Sequence, residues 1–74
     1  MKNGDYVLLK NSYVKSSGIR KKDAVLFTKN PGVVVENSNN GTLGTVRLIN
    51  NHHWAINKEW IIVLSKEKYP EYFL

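Results

Sequence analysis

The sequence predicts a single small all-β domain, a barrel of about five strands, on three observations. Apolar residues come in short runs rich in Val, Ile, Leu, Tyr and Trp. Compact Gly, Pro and Asn turn signals separate those runs. No segment keeps apolar residues at helical spacing for more than a turn or two. At 74 residues the chain is long enough for one hydrophobic core and too short for a second.

The elements follow in order. Gly4-Asp5-Tyr6-Val7-Leu8-Leu9-Lys10 opens on a turn signal and continues in strand formers, so a first strand is expected over about 5–10. Alternation puts Val7 and Leu9 inward and Tyr6 and Leu8 on the other face. Asn11 to Lys22 mixes Ser16-Ser17-Gly18 with cations and buries little, which makes it a long excursion with its tip near Gly18. Ala24-Val25-Leu26-Phe27-Thr28 is expected to return as an extended arm. Asn30-Pro31-Gly32 then reads as a turn in which proline fixes one dihedral and glycine accepts a positive φ.

Val33-Val34-Val35-Glu36 is the densest β-branched run, and Asn37-Ser38-Asn39-Asn40-Gly41 after it is a hairpin turn of the Asn-Gly type. Alternation alone does not say which of the three valines point inward. The partner strand is expected over Thr42–Asn50, with Val46 and Leu48 on one face and Arg47 and Ile49 on the other. A polar turn, Asn50 to His53, leads into Trp54-Ala55-Ile56. Asn57 is placed to cap a single 3-10 turn ending at Trp60, ahead of a last strand over about Ile61–Ser65. Val7, Leu9, Val46, Leu48, Trp54, Ile56, Trp60 and Ile62 form the expected core. The barrel is expected to span residues 1–65, leaving 66–74 as a tail in which Pro70 opposes a helix.

The Gly4-Asp5-Tyr6-Val7 opening, the Pro31-Gly32-Val33-Val34-Val35 strand entry and Trp60 closing one turn before the final strand resemble SH3-like small barrels. The nearest flavour is the KOW type found in ribosome- and transcription-associated proteins and in many short phage-encoded proteins. The resemblance covers roughly residues 4–65 and implies a binding module. Peptide-binding SH3 domains carry an acidic loop where this chain has the basic segment 15–22, so recognition of proline-rich peptides is not expected.

Charge is unevenly placed. The formal charge of +5 lies entirely in residues 1–22, where Lys2, Lys10, Lys15, Arg20, Lys21 and Lys22 face only Asp5. The remainder is neutral. Clustered cations, small hydroxyls and backbone N–H groups are what phosphates need, so Lys15, Ser17, Arg20, Lys21 and Lys22 are candidate nucleic-acid contacts, DNA or RNA. Tyr6, Tyr13 and Arg47 are candidates to extend them by stacking and pairing, with Tyr13 expected to be the more exposed of the two tyrosines. The alternative is a protein-interaction module binding an acidic partner through edge strands, Tyr13 and the tail residues Tyr69, Tyr72, Phe73 and Leu74. Of the two uses of that tail, packing on the barrel is the expected one.

Other classes find no support in the residues. The chain has no cysteine, no signal-peptide-like N-terminus and no apolar run able to span a bilayer, so an intracellular, cytoplasmic protein without membrane partners is expected. Asp5, Asp23, Glu36 and Glu59 have no paired-carboxylate spacing, and no nucleophile elbow, P-loop or dinucleotide fingerprint occurs, so neither catalytic residues nor a cofactor is expected. His52-His53 reads as a solvent-facing turn rather than a metal site, because neighbours on extended chain diverge and no carboxylate is close in sequence.

Overall fold

A computed structural model of the chain describes residues 2–37 and 42–73. The fold is mostly β: a five-stranded antiparallel sheet, one α-helix and three 3-10 turns. The strands are β1 (Tyr6–Leu9), β2 (Gly32–Asn37), β3 (Leu43–Arg47), β4 (His53–Asn57) and β5 (Ile61–Val63). They lie in the order β4-β3-β2-β1-β5, so β1 to β4 meander and β5 returns to pair with β1. The tip of the β2–β3 turn falls outside the described residues.

Alternation works as expected over most of the sheet. Val7, Leu9, Val34, Val46, Leu48 and Ile56 are buried on one face, while Arg47 and Ile49 are exposed on the other. Val34 is thus the inward member of its triplet, and Val35 next to it is the extra residue of a bulge between Val34 and Glu36. At the other edge the phase is one residue from expectation. Ile61 is buried against Leu9 and Ile62 is exposed, because the register pairs Leu9 with Ile61 and Leu8 with Ile62. Trp54 and Trp60 pack against the core cluster but are only partly buried. Asn57 caps the turn Lys58–Trp60 as its sequence position implies, its Oδ1 accepting from the Glu59 N–H at 2.9 Å.

The expectation of an extended arm at Ala24–Thr28 is overturned. Lys21–Lys29 forms helix α1, which buries Asp23, Ala24 and Phe27 on one face. A run of four apolar residues suits a buried strand or a short helix equally well by pattern. Here the far contacts decide: Phe27 and Ala24, fully buried, fill the core over β1 and β2, and an extended segment would present alternate residues instead. The helix stops where proline forbids its continuation. Asn30 before Pro31 is extended at φ −127°, ψ 125°, while its backbone N–H and Nδ2 both donate to the Leu26 carbonyl.

Two glycines matter for placing the helix. Gly18 has φ +77° and turns the chain so that Ile19 enters the core just ahead of α1. Gly32 does not take the positive φ expected of a turn glycine; it is the first residue of β2 and is needed for space. A Cβ there would stand 2.5 Å from Val46 Cγ1 and 3.1 Å from both the Arg47 carbonyl and the Phe27 ring. Gly32→Ala should therefore cost about 1–3 kcal/mol of stability by overpacking, measured as a lowered denaturant midpoint with unchanged m-value.

Candidate functional site

One buried carboxylate gathers polar side chains from the far end of the sheet. Asp23, in the first turn of α1, is only 3% exposed and accepts three side-chain hydrogen bonds. Trp54 Nε1 donates at 2.8 Å, His52 Nδ1 at 2.9 Å and Asn50 Nδ2 at 3.0 Å. Asn50 and His52 come from the β3–β4 connection and Trp54 from the start of β4; the turn at left-handed Asn51 brings the three donors round to one acceptor. The hydrogen bond from His52, first of all, holds the Asp23 carboxyl below its usual value of 3.8 against the opposing pull of burial; the bonds from Trp54 and Asn50 and the His52 charge add to the lowering. His52 is therefore not a free turn histidine. A carboxylate distant in sequence lies beside it, and because an ionised carboxylate only accepts, Nδ1 carries the shared proton and Nε2 is left to the surroundings of a ring 53% exposed.

The connection itself is a tight loop. Leu48 N–H donates to the His52 carbonyl at 2.8 Å and Asn51 N–H to the Leu48 carbonyl at 2.9 Å, with Asn51 left-handed at φ 70°. Asparagine tolerates that conformation better than most residues. Asn50 Oδ1 accepts from the His52 N–H, which fixes the loop from inside.

Two clefts flank this loop and share Asn51. One is lined by Arg20, Asp23, Asn51, His52, His53 and Trp54. The other lies on the outward face of the sheet around Tyr6, Val33, Arg47, Ile49, Asn51 and Tyr72, with a volume of about 360 Å³. The register explains the second: Tyr6 pairs with Val33, Val33 with Arg47 and Arg47 with His53, so these four residues form one row across four strands. Among the described residues the only ion pair is His52 with Asp23. Arg20, Lys21, Lys22 and Arg47 thus have no carboxylate within ion-pairing distance there.

The residues singled out from sequence are not all brought together. Arg20 caps the start of α1, next to exposed Lys21 and Lys22 in its first turn, and Arg20 meets the loop that Arg47 leads into. Lys21 and Lys22 belong to a helix rather than to the tip of a loop. Lys15 is exposed in the turn following the 3-10 segment Asn11–Tyr13. Ser17 is half-buried and uses its hydroxyl to accept from the Ile19 N–H. Tyr13 and Tyr6 exchange their expected roles. Tyr13 packs against the core beside Trp60, ring centroids 6.3 Å apart, whereas Tyr6 is 38% exposed on the opposite face of the sheet. The tail reaches Tyr6: Phe73 stacks on it at 5.2 Å and 17°, Lys66 Nζ stands 5.9 Å over the Phe73 ring, and Tyr69 tilts against Tyr72. Leu74 lies outside the described residues. Asn50, His52 and Trp54 as partners of Asp23 are not legible in the sequence, because it is the turn at Asn51 and the docking of α1 that bring them to the carboxylate.

No helix among the described residues is long and apolar enough to cross a membrane. Comparison of the chain with protein-family models, curated proteins and solved structures finds no match.

Asp23 gives a signed pH dependence. Its folded pKa lies below the unfolded value, so its stabilisation is complete above 3.8 and is lost as pH falls from there through the folded value. Unfolding free energy followed by Trp fluorescence should show this acid limb. Asp23→Asn should abolish it and lower stability at neutral pH by about 1–3 kcal/mol, because an amide turns one acceptor oxygen into a donor facing donors.

Proposed function

We propose that this protein is a small basic binding module without enzymatic activity, and that it contacts nucleic-acid phosphates through Arg20, Lys21 and Lys22 together with Arg47. One observation carries the reading. Two arginines far apart in sequence stand on adjacent clefts joined by Asn51, with His52 and His53 beside them and no carboxylate pairing with either guanidinium among the described residues. A protein using charge only for solubility has no reason to keep arginines together and unpaired.

The helix terminus adds to this. Cations at the positive end of a helix dipole are unfavourable, and α1 begins with Arg20, Lys21 and Lys22 and has no side-chain cap. The one first-turn acid, Asp23, offsets one charge against three cations, and its oxygens, bonded to Asn50, His52 and Trp54, make no ion pair with any of them. A bound phosphate relieves the repulsion and accepts from the uncapped N–H groups.

On this reading the sheet belongs to an SH3-like barrel of the KOW type, which the order β4-β3-β2-β1-β5 and the 3-10 turn between β4 and β5 support. The excursion between β1 and β2, residues 10–31, then delivers the cations, as it does in the sequence reading of segment 15–22. The protein-interface alternative is less favoured, since Phe73 of the tail is engaged on Tyr6 of the domain itself.

Binding of a labelled oligonucleotide, followed by anisotropy across a salt series, tests the proposal. Affinity should fall steeply with salt. Arg20→Ala and Arg47→Ala should each flatten the slope of log K against log salt by about 0.7–0.9, the loss of one phosphate contact. Lys58→Ala, at the opposite end of β4 from the His52 loop, should leave it unchanged. Undetectable binding of both DNA and RNA at low salt would remove the proposal.

A further inference from the structure

We infer that the cleft on the outward face of the sheet receives an unpaired nucleobase, which makes the ligand a single strand; this rests on the phosphate reading above.

The cleft has the chemistry of a stacking slot. Tyr6 and Tyr72 supply aromatic rings, Val33 supplies an apolar floor and Arg47 supplies a planar guanidinium free of carboxylate partners among the described residues. Guanidinium planes and tyrosine rings are the two groups that recur against the faces of splayed bases. Ile49 is 62% exposed at the rim, and covering it with a flat heteroaromatic ring removes apolar surface from water. The volume, about 360 Å³, lies at the lower end of the range for small-ligand clefts.

Tyr6 is braced for such a contact. It lines two clefts, and Phe73 stands in one of them and not in the other. Phe73 thus holds the ring without lining the slot, stacked at 5.2 Å and itself beneath Lys66. A ring already held in place loses little freedom when a base stacks on it.

The geometry also selects against a duplex. Paired bases hide their faces in the stack and offer only groove edges and phosphates. A duplex can reach the arginines, but it has no base face to offer the slot. A single strand fills both sites at once: Asn51 borders both clefts, so a phosphate beside Arg20 and a base against Tyr6 lie on neighbouring parts of one strand.

The test compares four labelled 12-mers at constant low salt: oligo-dT, oligo-rU, a duplex of mixed sequence, and an abasic deoxyribose-phosphate strand of equal charge. At least one base-bearing single strand should bind about five- to hundredfold more tightly than the abasic strand, the range that one base–aromatic stack supplies. The DNA and RNA arms show whether the 2′-hydroxyl contributes. Tyr6→Ala should remove the advantage over the abasic strand and Tyr6→Phe should keep it, with Trp fluorescence confirming that each variant is folded. Equal affinity for abasic, base-bearing and duplex ligands, all salt-dependent, overturns the base slot and leaves the phosphate reading standing. Absence of binding to any of the four overturns both. The comparison between strands uses the unaltered protein, so it decides the matter even if Tyr6→Ala fails to fold.

Discussion

A single carboxylate inside the protein determines where most other parts go. Asp23 has almost no contact with water, and a charge so placed is tolerable only when its lone pairs are satisfied. Asn50 and His52 of the β3–β4 connection and Trp54 of β4 do this, and in doing so they tie the helix to the loop. The helix then presses Ala24 and Phe27 into the core, and the loop is held in the conformation that puts Asn51 between two clefts. Removing one donor leaves an acceptor unsatisfied, whereas removing the acid leaves three donors facing each other. Either change reaches both the core and the loop that separates the two clefts.

The two faces of the sheet have different work. The inner face is closed by α1 and by buried residues such as Phe27 and Val46, which leave no room even for a methyl group on Gly32. The outer face keeps a row of mixed chemistry, Tyr6, Val33, Arg47 and His53, set by cross-strand register rather than by nearness in sequence. The tail adds a second layer at one end of that row by stacking Phe73 on Tyr6. Positive charge therefore arises from the early segment, but the place where it meets aromatic surface is made by strands that carry no excess charge of their own.

Local chemistry was enough for the strands. Period-two alternation in β3, the asparagine cap at position 57 and a polar turn ahead of Trp54 depend on neighbours within a few residues and can be read from the chain, whereas Leu8, expected on the outer face, is buried as well. Helix α1 depends on partners far away. Val25, Leu26 and Phe27 favour a strand by composition, and only the buried triplet Asp23, Ala24 and Phe27, together with Lys29-Asn30-Pro31 as a stop, betrays a helix. The slip at Ile62 has the same origin: a run of four apolar residues, 61–64, carries no phase until Leu9 supplies it through pairing. The candidate site was legible in its residue types, Arg20, Arg47 and Tyr6, and illegible in its grouping. Tyr13 shows why, since its burial follows from Trp60, to which no local pattern connects it.

The strand order also bears on how the chain reaches this state. β1 to β4 pair with sequence neighbours, but the other edge of β1 bonds to β5 more than fifty residues later, Val7 lying opposite Val63. Closing so long a loop is entropically slow compared with zipping a hairpin. During synthesis β1 therefore leaves the ribosome with one edge lacking its final neighbour, and its Leu8 and Leu9 wait for residues made more than fifty positions later. The cations that follow it, from Lys10 to Lys22, keep that waiting segment charged and apart from other chains until the sheet is complete.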